Sequence, residues 1–145
     1  MKLLGLDVGD RRVGIAFGDA ALRLATPVDV ITRISIDEDA RAIGRLVRDY
    51  DAAQLVVGLP RNMDGTSGAQ AQSVMAYAER IARSLNLPVV FWDERLTTVE
   101  ATRQTREAGV PTPTLRRGRK SRRGLDAIAA AVILQDFMDA QGNLE

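Results

Sequence analysis

Hydrophobic and polar positions change period twice along the chain. LLGLDVG and VGIAFGD are two strand-type runs separated by Asp10-Arg11-Arg12, which predicts a hairpin, and PVDVI after Thr26-Pro27 predicts a third strand. From Ser35 the spacing turns helical. Ser35-Ile36-Asp37-Glu38 is a capping box with acids in the first turn, and Ala42, Ile43, Leu46 and Val47 follow at helical intervals. LVVGLP is then a short buried-type strand ending in Gly-Leu-Pro.

A polar loop from Arg61 to Gly68 leads to a second helix, with its start signalled by Ser67 and by Gln70 three residues on. Val74, Tyr77, Ala78, Ile81 and Leu85 share one stripe of that helix, and Pro88 closes it. PVVFW is a further strand. Thr97 with Glu100 opens a third helix expected to end near Gly109. Pro-Thr-Pro-Thr and the basic run after it predict a mobile loop over about residues 110–124, since nothing apolar anchors them. Leu125 to Ala140 reads as the last helix. The order βββαβαβα predicts an α/β fold, with one mixed five-stranded sheet carrying helices on both faces. No internal repeat is visible, and residues 1–145 read as a single domain.

Composition narrows the chemistry. The 145 residues include no cysteine and no histidine, which excludes Ser-His-Asp triads, Cys-His nucleophiles, zinc fingers and imidazole metal sites. Carboxylates, hydroxyls, amides and cations remain. The net charge of +1 hides a segregation: Arg116, Arg117, Arg119, Lys120, Arg122 and Arg123 fall in a stretch with no acid between Glu107 and Asp126. Without those six the chain has 14 basic against 19 acidic residues, a net of −5. A dense cationic segment on an acidic body points to a polyanionic partner, with a solvated tether as the plainer alternative. Phosphate contacts there would make binding fall steeply with salt. Aromatics are 4% of residues and none lies in the segment, so base stacking is not expected to dominate. No targeting or membrane segment stands out, and a cytoplasmic protein is expected.

Three carboxylates fall at telling positions. In the first strand Leu4, Leu6 and Val8 share one face, while Leu3, Gly5 and Asp7 share the other. Asp7 thus points into an apolar layer, where an ionised carboxylate is costly unless hydrogen-bonded, paired or bound to metal. Backbone amides at the hairpin are the alternative partner. Glu94 follows Phe91-Trp92-Asp93 at the carboxyl end of a parallel-type strand, where ligands of open α/β sheets gather. Asp126 shares a helical stripe with Ala130, Ile133 and Phe137, although a first-turn Asp also serves as a dipole residue. Taken together they suggest an oxygen-only site for Mg²⁺ or Mn²⁺. Two such ions form the clamp used for in-line phosphoryl displacement.

The blocks GLDVGDRRVGIAFGD, GLPRNMDGTSGAQA, FWDERLTT and GLDAIAAAVILQ resemble the YqgF/RuvX family, described both as Holliday junction resolvases and as pre-16S rRNA nucleases. They run in order from residue 4 to about residue 137. The resemblance implies an RNase H-like fold and a metal-dependent nuclease in which Asp7, Glu94 and Asp126 are the catalytic carboxylates, with Asp7 expected to bridge two ions. The Asn62 to Ser67 loop precedes a helix start, where free backbone amides favour a phosphate and Asn62 and Thr66 would orient the strand, although Asp64-Gly65 is also an ordinary turn and Ser67 an ordinary cap. Arg12 and Arg95 would hold the scissile phosphate, with a structural ion pair as the alternative. Lys120 is the only lysine of the basic run, so a lysine-specific role there is unsupported.

Precursor rRNA ranks first as substrate and a four-way DNA junction second. A resolvase cutting symmetrically requires a twofold homodimer, and no dimer surface is legible in the sequence. An actin- or Hsp70-type nucleotide-binding fold would need a second lobe that 145 residues leave no room for. A noncatalytic RNA-binding module leaves three converging acids unexplained.

Overall fold

The strands form where the alternating runs predict them. β1 (Lys2–Val8), β2 (Arg12–Asp19) and β3 (Leu24–Thr32) form an antiparallel meander, and β4 (Gln54–Leu59) and β5 (Val89–Asp93) add in parallel on the other side of β1. The strand order is β3-β2-β1-β4-β5. α1 (Ile36–Tyr50) connects β3 to β4, α2 (Ala69–Leu85) connects β4 to β5, and α3 (Gly118–Asn143) follows later in the chain. The computed structural model describes residues 1–60, 68–94 and 118–143, and the side chains of the last stretch from residue 125 to 141. The expected helix from Thr97 to Gly109 and the Pro-Thr-Pro-Thr segment lie outside the described residues. The mixed five-stranded α/β sheet expected from sequence is what the chain forms.

β1 sits at the centre, and its two-residue repeat divides the core. Leu4, Leu6 and Val8 join Val13, Ile15, Leu55, Val57 and Leu59 beneath α1 and α2, which contribute Ile43, Val74, Ala78 and Ile81. On the opposite face Leu3, Ala16 and Val56 meet Ala129, Ala130, Ile133, Leu134 and Phe137 of α3. Helices therefore cover both faces. Among the described residues no helix is long and apolar enough to cross a membrane.

The helix ends follow local rules with two departures. Ser35 caps α1 as predicted, its Oγ accepting from the Glu38 N–H at 3.1 Å, a contact of a kind that contributes about 1 kcal/mol. α1 stops at Asp51 and α2 at Asn86, both left-handed with φ near 55°, a conformation that short Asx side chains tolerate. Pro88 thus lies beyond a stop already made. The first departure is at the start of α2. The cap residue is Gly68, with no side-chain cap bond, rather than Ser67, because the helix begins one residue later than the Ser-Gln spacing implies. The second departure is larger: α3 begins at Gly118 instead of Leu125, so part of the expected mobile loop is helical backbone. Arginine and lysine are good helix formers and no proline follows Pro113, so the helix extends back through the basic run.

Candidate active site

Asp7, Gly14 and Gly58 form a row across three neighbouring strands. Asp7 pairs with Gly14 in the antiparallel β1–β2 ladder, and Asp7 and Gly58 each lie one residue beyond the last parallel pair, Leu6–Val57. All three face α3. The two glycines permit what lies next to Asp7. A Cβ on Gly14 would sit 2.0 Å from the Asp126 carbonyl oxygen, so only a bare backbone lets α3 settle there. A Cβ on Gly58 would lie 2.4 Å from Ile133 Cδ1 and 2.8 Å from Glu94 Oε1, so this glycine lets the Glu94 carboxylate lie over β4. Asp126 and Glu94 are thereby brought up on either side of Asp7, at the carboxyl ends of the parallel strands.

Asp7 and Glu94 are buried, at 6% and 7% exposure. Asp126 is nearly so, and its Oδ2 lies 2.9 Å from Nε of Arg12, the first residue of β2. Because α3 starts at Gly118, Asp126 stands in the third turn rather than the first. The reading of it as a helix-dipole residue is therefore set aside, since that effect fades within the first turn. The alternative ion-pair reading of Arg12 holds, with Asp126 as its partner. Asn62, Thr66, Arg95, Arg116 and Arg117 lie outside the described residues. Arg119, Lys120, Arg122 and Arg123 fall on the first two turns of α3.

A third buried carboxylate lies on the other face and does something different. Asp39 of α1, 3% exposed, accepts from the Tyr77 hydroxyl at 2.7 Å and from the Ile34 N–H at 2.9 Å. Arg33 lies over the Tyr77 ring at 4.1 Å and donates from Nη1 to the Gly9 carbonyl at 2.7 Å. This chain of contacts ties α1 and α2 to the Gly9–Arg11 turn that joins Asp7 to Arg12. Burial first, and then the bond to Asp39, push the Tyr77 phenol above its ordinary pKa. Arg33, Ser35, Asp39, Tyr77 and Arg80 border an adjoining cavity of about 320 Å³. Local pattern does not single out Asp39, and it places Tyr77 only among the apolar positions of the second helix. The tyrosine on an apolar stripe was the one available signal, since a buried hydroxyl requires a partner.

The donors beside Asp7 are oxygen-only, as hard divalent cations prefer, and the glycine row gives carboxylates access that a Cβ would block. The residues thus fit such an ion by donor type and by placement on one face. Among the described residues no three acidic side chains form a ready-made ligand group, and Asp126 is drawn to Arg12.

The model of a family described as "RuvX: Holliday junction resolvase" matches residues 1–140. A protein of Caldanaerobacter subterraneus subsp. tengcongensis named "Putative pre-16S rRNA nuclease" is 43% identical over 143 residues, 99% of this chain and 99% of that protein. T. thermophilus RuvC in complex with a Holliday junction substrate aligns with a TM-score of 0.59 and 13% identity, over 99% of this chain and 96% of that one. The fowlpox virus Holliday junction resolvase aligns with a TM-score of 0.53 and 13% identity, over 97% and 99% of the two chains. At those identities the structural likeness speaks for the fold alone, which is RuvC-like and of the RNase H type.

Proposed function

The chain belongs to the RuvX family, and from that premise and the geometry around Asp7 we propose that it is a divalent-metal-dependent nuclease acting in 5′-end maturation of pre-16S rRNA. The observation that carries the reading is the row Asp7–Gly14–Gly58. Two glycines where side chains would otherwise stand bring Asp126 and Glu94 up to a buried aspartate at the ligand-binding edge of the sheet. Asp7, Glu94 and Asp126 are the residues that would hold Mg²⁺ or Mn²⁺, as a pair of ions in the two-metal form of this chemistry. When bound, such ions stabilise charge on the scissile phosphate and on its attacking and leaving oxygens.

The rest falls to the protein. Buried Asp7 and Glu94 are held on a covered sheet face, which limits the freedom of the reacting groups. Arg12, Arg95, Asn62 and Thr66 orient the strand at the site. The cations from Arg116 to Arg123 contact phosphates further along, so affinity falls with salt. A single catalytic domain over residues 1–145 and a cytoplasmic location belong to the same reading. The absence of cysteine agrees with that location without requiring it.

The family description and the RuvC-like fold favour a second reading, resolution of four-way DNA junctions, in which two copies would form a homodimer and cut symmetrically. One experiment separates the two. Wild type and Asp7→Asn are given a precursor 16S rRNA end and a synthetic four-way junction in parallel, with Mg²⁺ or Mn²⁺. Trimming of the rRNA by wild type, reduced about 10³-fold or more in Asp7→Asn with binding retained, is the expected result. Symmetric junction cleavage alone would transfer the assignment to the second reading. Absence of cleavage on both substrates, or full activity of Asp7→Asn, would end the nuclease reading.

A further inference from the structure

Arg12 is a cation held where the proposed site needs a carboxylate to be available. Its Nε lies 2.9 Å from Asp126 Oδ2, and the pair is unequally exposed, at 37% for the Arg12 side chain and 13% for that of Asp126. The acid is thus largely withdrawn from water while the guanidinium reaches it from the solvent side. Gly14 fixes this meeting. It is two residues from Arg12 on β2, and the absence of a Cβ there seats the Asp126 backbone directly on the strand. Arg12 is itself fixed by its ladder pairing with Thr32, and the turn before it is closed by the Gly9 N–H donating to the Arg12 carbonyl at 2.8 Å.

We infer that Arg12 is the resident counter-ion of the site, occupying Asp126 until a divalent cation displaces it. This inference rests on the nuclease reading above and concerns how the same site is loaded. Asp126 is largely withdrawn from water on the face that also buries Asp7 and Glu94, and a guanidinium 2.9 Å away offsets part of the cost of its charge. An arginine suits this duty because it stays charged at any working pH and is weakly hydrated. Its position at the exposed side lets it leave without unfolding anything. A divalent cation held by Asp126 would replace Arg12 as its counter-ion, and the Arg12 guanidinium would then be available to a substrate phosphate. The contact with Asp126 and the substrate role given to Arg12 become successive states of one side chain.

The inference predicts that removing Arg12 tightens metal binding, whereas loss of a merely structural bridge would weaken the site. Mn²⁺ binding is measured by titration calorimetry and by the electron spin resonance of free Mn²⁺, with no nucleic acid present, on the full chain. The proteins are wild type, Arg12→Gln, Arg12→Lys, Arg11→Gln and Asp7→Asn. Arg11→Gln is the control, since it removes the same charge from the adjacent, exposed position in the turn. Arg12→Gln is expected to bind Mn²⁺ about five- to tenfold more tightly than wild type, equivalent to about 1–1.4 kcal/mol, with Arg11→Gln changing it less than about twofold. Arg12→Lys is expected between wild type and Arg12→Gln, because an ammonium keeps the charge but is more strongly hydrated, and it serves as the test variant should Arg12→Gln fail to fold.

Equal effects of Arg11→Gln and the Arg12 variants, or weaker binding in the Arg12 variants, would overturn the inference while leaving the metal site standing. A wild type that binds no Mn²⁺, or an Asp7→Asn that binds it as wild type does, would overturn the metal reading itself.

Discussion

The two faces of the central sheet carry buried carboxylates under opposite conditions. Beneath α1 and α2 the strands present leucine, isoleucine and valine, and Asp39, the one buried acid on that face among the described residues, is met by a tyrosine hydroxyl and a backbone N–H. Beneath α3 the strands present glycine at positions 14 and 58, the helix presents alanines, and Asp7 and Glu94 are buried on a face where side-chain volume has been removed. The first face is filled for stability, and its acid is a structural fastener. The second is thinned so that a helix backbone and a glutamate can approach a third acid. Burial of a carboxylate therefore says little by itself; what surrounds it decides between fastening and chemistry.

The sharpest way to break this division is at Gly14. Alanine there would place Cβ 2.0 Å from the Asp126 carbonyl, a backbone atom that cannot swing aside, so α3 must lift. Gly14→Ala is expected to lose about 3 kcal/mol or more of stability together with nearly all cleavage, measured by denaturant titration and a Mn²⁺-dependent assay. Unchanged stability would mean that α3 does not seat on β2 as described.

A crossed pair of substitutions tests the division more finely. Leu55→Ala, fully buried beneath α1 and α2, is expected to destabilise by about 2–5 kcal/mol while cleavage at low temperature stays near wild type. Gly58→Ala meets a movable Ile133 methyl and the Glu94 carboxylate, so stability falls by only about 1 kcal/mol. Displacing Glu94 by even a fraction of an ångström is expected to lower its cleavage about 10²-fold. The reverse pattern would show that the faces do not divide the work this way.

The mildest effect concerns the fastener. Tyr77→Phe deprives Asp39 of one donor and is expected to cost about 1–3 kcal/mol at neutral pH. Its pH dependence has a definite sign. The folded state favours the protonated phenol, so the stability that Tyr77 supplies is complete below the ordinary phenol value of about 10 and is lost as pH rises past it. The melting temperature of wild type should therefore fall more steeply than that of Tyr77→Phe between neutral and strongly alkaline pH. Parallel curves would remove the fastener role.

Much of the proposed site is legible along the chain. Alternation puts Asp7 opposite Leu4, Leu6 and Val8, the end of PVVFW places Glu94, and the alanine stripe of the last helix contains Asp126. The acids could be named because each stands out against a local apolar pattern. Gly14 and Gly58 do not stand out, because a glycine in a strand has the same appearance whether a helix or a solvent layer covers it. Arg12 could be placed near the site, but its partner is 114 residues away in sequence and no local pattern joins them. The backward extension of α3 was missed for the converse reason. Without an apolar stripe, the basic run gives no periodic signal, although its residues favour helix.

The sequence by itself determined the periods of the elements, the face to which each strand residue points, and a chemistry restricted to oxygen donors and cations by the lack of histidine and cysteine. These are local properties, set by a two-residue or 3.6-residue repeat and by side-chain composition. Tertiary structure alone decided that Gly14 and Gly58 flank Asp7, that Arg12 meets Asp126, and that Asp39 is fastened while Asp7 is placed beside other acids. Those meetings depend on strand register, on parallel addition of β4 beside β1, and on how closely α3 can approach. Each is fixed only when distant segments compete for the same buried volume.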